Sequence, residues 1–142
     1  MTLIARLNAL PGRFIARDAA LLLLRVAIAT PFWLSGRTKV DGLLTVNDGA
    51  RFLFAEEYKV PVLPPEVAAH LATYAEHLFP ILLVLGLATR LSALGLMGMT
   101  LVIQLFVYPE AWGAHLLWAG PLVYLLSQGP GGWSFDRLLK LD

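Results

Sequence analysis

The sequence predicts an all-α protein: an integral membrane four-helix bundle, N-in/C-in, with a short amphipathic helix in the first outer loop. Three observations lead there. Of 142 residues, 58% are hydrophobic and 15% charged, against roughly 45–50% and about 25% in soluble domains, and mean hydropathy is +0.69. The apolar residues gather into four runs, most near the 20 or so residues that cross a hydrocarbon core. Lipid offers no water to backbone groups, so an open sheet cannot span it and helix is the default. One domain, residues 1–142, holds all four spans.

The elements follow in order. Residues 3–15 place Leu3, Ile4, Leu7, Leu10, Phe14 and Ile15 near one face, as in a short interfacial helix broken at Pro11. The first span covers about 18–36, "DAALLLLRVAIATPFWLSG". It is basic and then apolar like a signal peptide, but Arg25 interrupts the run and no small-residue cleavage site follows, so an uncleaved span is expected. The outer loop, 37–64, contains "NDGARFLFAEEYKV". It has an Asn/Asp start signal and an apolar cluster of Phe52, Leu53 and Phe54, which suits a helix lying on the outer surface. The second span is about 65–87, the third about 90–108 and the fourth, shorter, about 113–128. A connection of a few residues makes the second and third spans an antiparallel hairpin. Pro31, Pro80 and Pro121 fall inside spans, where membrane helices tolerate proline.

Charge placement sets the orientation. Arg6, Arg13, Arg17, Arg90, Arg137 and Lys140 lie on one side; Arg37, Lys39, Arg51 and Lys59 lie on the other. The richer side is read as inner. Trp33, Trp112 and Trp118 then form an outer aromatic belt. The net charge of +1 and the absence of basic runs set nucleic-acid binding aside. Absence of cysteine excludes disulfides, iron–sulfur clusters and thiol redox chemistry in this chain.

The polar residues inside the spans point to a site. Arg25 and Glu76 sit at depths of about 10 and 18 Å from the inner side. Each charge costs about 2.5–3.5 kcal/mol unpaired, so an Arg25–Glu76 pair is predicted. His77 follows Glu76 but points about 100° away round the helix. His70 and His115 share an outer depth and would be the pair to hold a metal or haem, although two histidines without a spacing motif more often bond across an interface; no metal site is assigned. Gln104 suits hydrogen bonding between helices, and Gly95 with Gly98 permits close helix approach.

The stretches "LLLLRVAIATPFWLSGRTKV", "VPVLPPEVAAHLATYAE" and "YAEHLFPILLVLGLATRLSALGL" together resemble the DoxX family of small four-helix bacterial membrane proteins. Glu76, Gly86 and Arg90 match the family's Glu, Gly and Arg, and the likeness covers about residues 20 to 105. Residues 108–139, with His115 and three tryptophans, depart from the family pattern. The resemblance implies a multi-pass protein of the bacterial inner membrane. It implies a quinone-interacting subunit of an oxidoreductase system, dependent on partner redox or accessory proteins and not active alone. A non-catalytic scaffold for partner enzymes, or a copper-handling accessory protein, is the alternative. On the first reading Glu76, Arg25 and His77 form a proton relay in contact with a quinone. His115, Lys39 and Trp118 bind that cofactor, with Lys39 also steering an anionic ligand or partner at the outer face. The lipid membrane and a second copy of the chain complete the expected partners.

Overall fold

The computed structural model describes residues 16–141 together with Thr2 and Ile4. The interfacial helix expected over 3–15 therefore lies outside the described residues. Helix α1 (Arg17–Thr38) leads into a two-stranded antiparallel hairpin, β1 (Val40–Asp41) and β2 (Thr45–Val46), with Val40 opposite Val46. Helix α2 (Asp48–Phe52) continues as a π-helical stretch, Leu53–Tyr58. Helix α3 (Pro65–Leu85) and helix α4 (Thr89–Val102) follow, the latter extended by a π-helical turn, Ile103–Val107. A 3₁₀ turn (Pro109–Ala111) precedes α5 (Trp112–Gln128), and a short α6 (Phe135–Leu139) ends the described chain.

The four long helices form a ring: α1 packs on α3 and α5, and α4 packs on α3 and α5. Three segments are long and apolar enough to cross a membrane, Arg17–Thr38, Pro65–Leu85 and Thr89–Val107. Leu21, Ile28, Phe32, Leu83, Leu96, Leu122 and Leu125 meet in the middle of the ring as one buried core. Outward-facing leucines, such as Leu23, Leu91 and Leu117, stay exposed, as they do when hydrocarbon rather than water is the surrounding medium. The helices run through Pro31, Pro80 and Pro121 without ending.

The α3–α4 connection is the tight hairpin that the short loop requires. Gly86 takes φ +66° at the end of α3 and Ala88 φ +48° before α4, the left-handed cap that glycine adopts at no steric cost. Above it, a Cβ on Gly95 would stand 2.5 Å from the Phe79 ring, so this glycine admits α3 against α4. Gly98 faces open space, and the expected close approach there is not made among the described residues.

The loop helix forms where the Asn/Asp signal placed it. The Asn47 side chain accepts the Ala50 N–H at 2.8 Å as an N-cap. Its apolar cluster is divided, however: Phe52 is exposed, while Phe54 is buried with Val46, Ala50, Ala68 and Ala69. The cluster expected to lie along the outer surface therefore serves largely to pin α2 over the start of α3. The hairpin before it was not legible in the sequence, because two residues per strand leave no alternation to read.

Candidate functional site: a lined cavity beside a buried ion pair

Helices α1 and α3 run antiparallel, which brings the end of α1 beside the middle of α3. There the Lys39 ammonium meets the Glu76 carboxylate at 2.8 Å, with both side chains almost fully buried. Ser35, one turn before Lys39, closes the group: its hydroxyl accepts from Lys39 at 2.7 Å and donates to Glu76 at 3.0 Å. The third ammonium proton goes to the Ser35 carbonyl at 3.3 Å. All three Lys39 donors are thus used, and the pair meets the requirement that a buried charge be both paired and hydrogen-bonded. Gly36 makes the approach possible, since a Cβ there would stand 3.0 Å from both Glu76 and His77.

This ion pair forms one wall of a cavity of about 420 Å³. The remaining walls are mostly apolar: Leu71, Ala72 and Ala75 from α3, Met99, Val102, Ile103 and Val107 from α4, and Phe54 from the loop helix. Tyr58, Tyr108, His115 and Trp118 complete it. An apolar chamber of this size with a few converging polar groups has the usual make-up of a small-molecule site.

Two of those polar groups are held in defined states. His115 is 5% exposed, and its Nδ1 lies 2.6 Å from Gln104 Oε1. The Gln104 amide nitrogen donates to the Pro109 carbonyl at 2.8 Å, which can only accept. The amide therefore cannot be turned over, its oxygen faces His115, and the imidazole carries a proton on Nδ1. Tyr58 ends the first π-helical stretch and Tyr108 follows the second, and their rings meet edge to face at 5.7 Å. Burial, then the hydrogen bond to Tyr108, then the charges of Tyr108, Glu76 and Glu57 raise the Tyr58 phenol above its ordinary value, so it stays protonated.

A second polar centre lies at the opposite end of α3. Arg25, fully buried, donates to the Leu83 carbonyl at 3.2 Å, the Val84 carbonyl at 3.0 Å and the Trp133 carbonyl. The first two lie in the last turn of α3, where helical donors run out, although Leu83 also accepts the Gly86 N–H at 3.0 Å; the third belongs to the segment before α6. Asp136 on α6 does the complementary job for α4, accepting the Ala88 and Thr89 N–H groups at 2.6 and 2.8 Å. A Cβ on Gly86 would meet Arg25 Nη1 at 2.3 Å and Ser134 Cβ at 2.5 Å. Arg25, Gly86 and Asp136 thus lock the hairpin to the C-terminal segment.

The model of the DoxX family matches residues 20–109. The chain belongs to the DoxX family. It is also 29% identical over 137 residues to a protein of Haemophilus influenzae described only as uncharacterized, covering 89% of this chain and 87% of that one. No solved structure matches it. The family and the apolar helices make this a membrane protein. Most of the cavity of this DoxX chain lies inside the matched region, including Ser35, Lys39, Tyr58, Glu76 and Tyr108, whereas His115 and Trp118 lie beyond it.

The predicted Arg25–Glu76 pair is not formed. Leu83 and Val84, which Arg25 contacts, lie seven and eight residues past Glu76 on α3, about 11 to 12 Å along the axis. Each charge has a nearer partner in place. Lys39, expected to face outward and steer a ligand, is instead 5% exposed and committed to Glu76. His77 is not among the cavity residues: its Nδ1 donates to the Thr73 carbonyl at 2.7 Å and Trp33 stands edge-on to it at 5.2 Å. His70 turns to the Glu66 carbonyl at 2.8 Å and does not join His115 at the cavity. Gln104 does bridge helices, as expected. Of the belt tryptophans, Trp112 is exposed, but Trp118 turns inward against Phe32 and His115, at 5.2 and 5.1 Å. Of the site residues expected from the sequence, Glu76, Lys39, His115 and Trp118 line the cavity; Arg25 and His77 do not. Ser35, Tyr58, Tyr108 and Asp136 were missed. The tyrosines left a faint signal in standing at the ends of apolar runs, and Ser35 none.

Proposed function

We propose that this DoxX chain is a four-span bacterial inner-membrane protein, N-in/C-in, that holds a quinone-class ring in the cavity beside Glu76 and works with a redox partner. One observation carries the reading: a chamber of about 420 Å³ lies between the helices and the first outer loop, apolar except for Ser35, Lys39, Glu76, His115, two tyrosines and the Trp118 indole. A quinone needs such a place, with hydrocarbon walls for ring and tail and a few polar atoms for two oxygens. When bound, a quinone supplies two-electron, two-proton chemistry. The chain's own residues do the rest. Apolar side chains exclude water, Trp118 and Phe54 flank the ring space, and His115 Nε2 offers a proton acceptor. Glu76, paired with Lys39 and Ser35, orders the polar wall. The α1–α3 pair gives the site its rigidity, because sites on packed helices hold position better than sites on loops.

The test is to purify the protein in mild detergent and quantify quinone in the lipid extract, beside an Ala72→Trp variant that fills the cavity from α3. Quinone near one per chain, lost in the variant, supports the reading. Equal, trace amounts in both would overturn it and leave the alternative, a scaffold in which Lys39–Glu76 is a packing device. Orientation is checked separately with single cysteines, since the chain has none of its own. A cysteine at position 43 should react with an impermeant maleimide from outside, and one at position 140 should not.

A further inference from the structure

The cavity beside Glu76 is open on one side, and the exposure of its walls shows which. Four of its lining residues are exposed: Leu63, Leu71, Val102 and Tyr108. Leu71 and Val102 lie on α3 and α4, and Leu63 and Tyr108 flank the outer ends of the same two segments. The walls that α1, the loop helix and α5 contribute are buried or half-buried. The opening is therefore a slot between α3 and α4. Below it the two helices close up, because the Phe79 ring lies over Gly95, where a Cβ would stand 2.5 Å away. Above it, Tyr58 reaches from the loop helix to Tyr108, ring to ring at 5.7 Å. Between these stops α3 presents Leu71, Ala72 and Ala75, and the short alanines leave a gap opposite Met99 and Val102.

The slot faces hydrocarbon. Both of its edges belong to segments long and apolar enough to cross a membrane. Leu71 lies six residues into α3, about 9 Å along the axis from Pro65. No Asp, Glu, Lys or Arg occurs from Leu91 to Val107. The exposed neighbours of the slot, Tyr74, Leu78, Leu101 and Leu105, are aromatic or aliphatic. The polar wall stands across the ring of helices: Ser35 and Lys39 come from α1, His115 comes from α5, and Glu76 turns to Lys39. From this we infer that the cavity takes a single-tailed amphiphile from the outer leaflet through the slot, its ring against the polar wall and its tail between α3 and α4. The inference rests on the quinone-class reading and names the ligand within that class: a membrane-borne quinone with a hydrocarbon tail, not a water-soluble one. A chamber of about 420 Å³ lies low in the range of about 300–1,000 Å³ for ligand pockets, so a long tail has to continue outside it. The apolar edges of the slot let it do so without meeting water. Leu71 and Val102 are then specificity-determining residues that touch the tail and not the ring.

The experiment places the full chain in nanodiscs of phosphatidylethanolamine and phosphatidylglycerol and adds a benzoquinone whose decyl tail carries a diazirine. After irradiation the labelled residues are read by mass spectrometry. Label is expected on Leu71–Ala75 and Met99–Ile103, displaced by excess unlabelled decyl-tailed quinone. Leu71→Trp narrows the slot and leaves the ring space open. It should weaken calorimetric binding of the decyl-tailed quinone by about tenfold, equivalent to roughly two CH₂ groups left unburied, and leave binding of the tail-less ring unchanged. Cross-linking of the parent does not depend on how this variant folds. Label absent from the slot, whether because the tail leaves past Val60–Leu63 or because a second copy of the chain covers the slot, would overturn the route and leave the quinone-class reading standing. So would a Leu71→Trp protein that binds the tailed quinone as the parent does, or loses both quinones equally. Slot label that a diazirine phospholipid deposits equally and excess quinone does not displace would assign the slot to bilayer lipid and overturn the ligand. Binding of neither quinone, with no displaceable label, would overturn both readings.

Discussion

Replacing Lys39 by Met is the most demanding test of how the charges in this bundle are arranged. The substitution keeps the length of the stem and removes the ammonium 2.8 Å from Glu76. Glu76 is 4% exposed and would keep only the Ser35 hydroxyl. Removing one partner of a buried pair costs about 3–5 kcal/mol, because the other charge is left uncompensated. Removing both, in Lys39→Met with Glu76→Leu, should cost far less, since apolar replacements of buried pairs are often near neutral. The coupling between the two sites should then exceed about 2 kcal/mol, within the range for residues in direct contact. Arg25→Met with Glu76→Leu should be additive to within about 0.5 kcal/mol, as sites more than about 10 Å apart usually are. Reversible unfolding in mixed detergent and sodium dodecyl sulfate, followed by circular dichroism, gives the four free energies of each cycle. A Lys39→Met protein as stable as the parent, or coupling of Arg25 to Glu76 as strong as that of Lys39, would refute the assignment.

Three further outcomes follow from the geometry. Gly86→Ala should destabilise by about 2 kcal/mol or more, from its left-handed φ and from displacing Arg25. Gly98→Ala, with open space at its Cβ, is the control expected to match or exceed the parent in thermal unfolding. Asp136→Ala should cost about 1–2 kcal/mol as the loss of a helix cap, and amide exchange at Ala88 and Thr89 should quicken selectively. The raised Tyr58 phenol makes the folded chain hold that proton more tightly than the unfolded chain. Its contribution to stability is therefore complete below the ordinary tyrosine value of about 10 and declines as pH rises beyond it. Unfolding measured from pH 8 to 11 should lose stability at the alkaline end, and Tyr58→Phe should flatten that loss.

The sequence by itself determined the class, the helices and the family. Hydropathy is a sum over many residues, so it survives local ambiguity. Long helices stand where the apolar runs are, three of them long and apolar enough to cross a membrane; the Asn47 cap announced itself through its residue type, and the tight α3–α4 turn through the shortness of the connection. Membership of the DoxX family rested on a joint spacing that also survives without coordinates. Which charge meets which was a different matter. Depth counted along each helix placed Arg25 and Glu76 within reach, but the α1–α3 register set Glu76 beside Ser35 and Lys39 and Arg25 beside the last carbonyls of α3. A register is fixed by side chains interlocking between two helices, here across Gly36 and Gly86, and no single helix encodes it. The C-terminal segment, which supplies Asp136 and the Trp133 carbonyl, could be placed only by the folded chain. The cavity is likewise tertiary: its walls come from α1, the loop helix, α3, α4 and α5, and Trp118 and His115 turn inward because the ring of helices leaves space for them there.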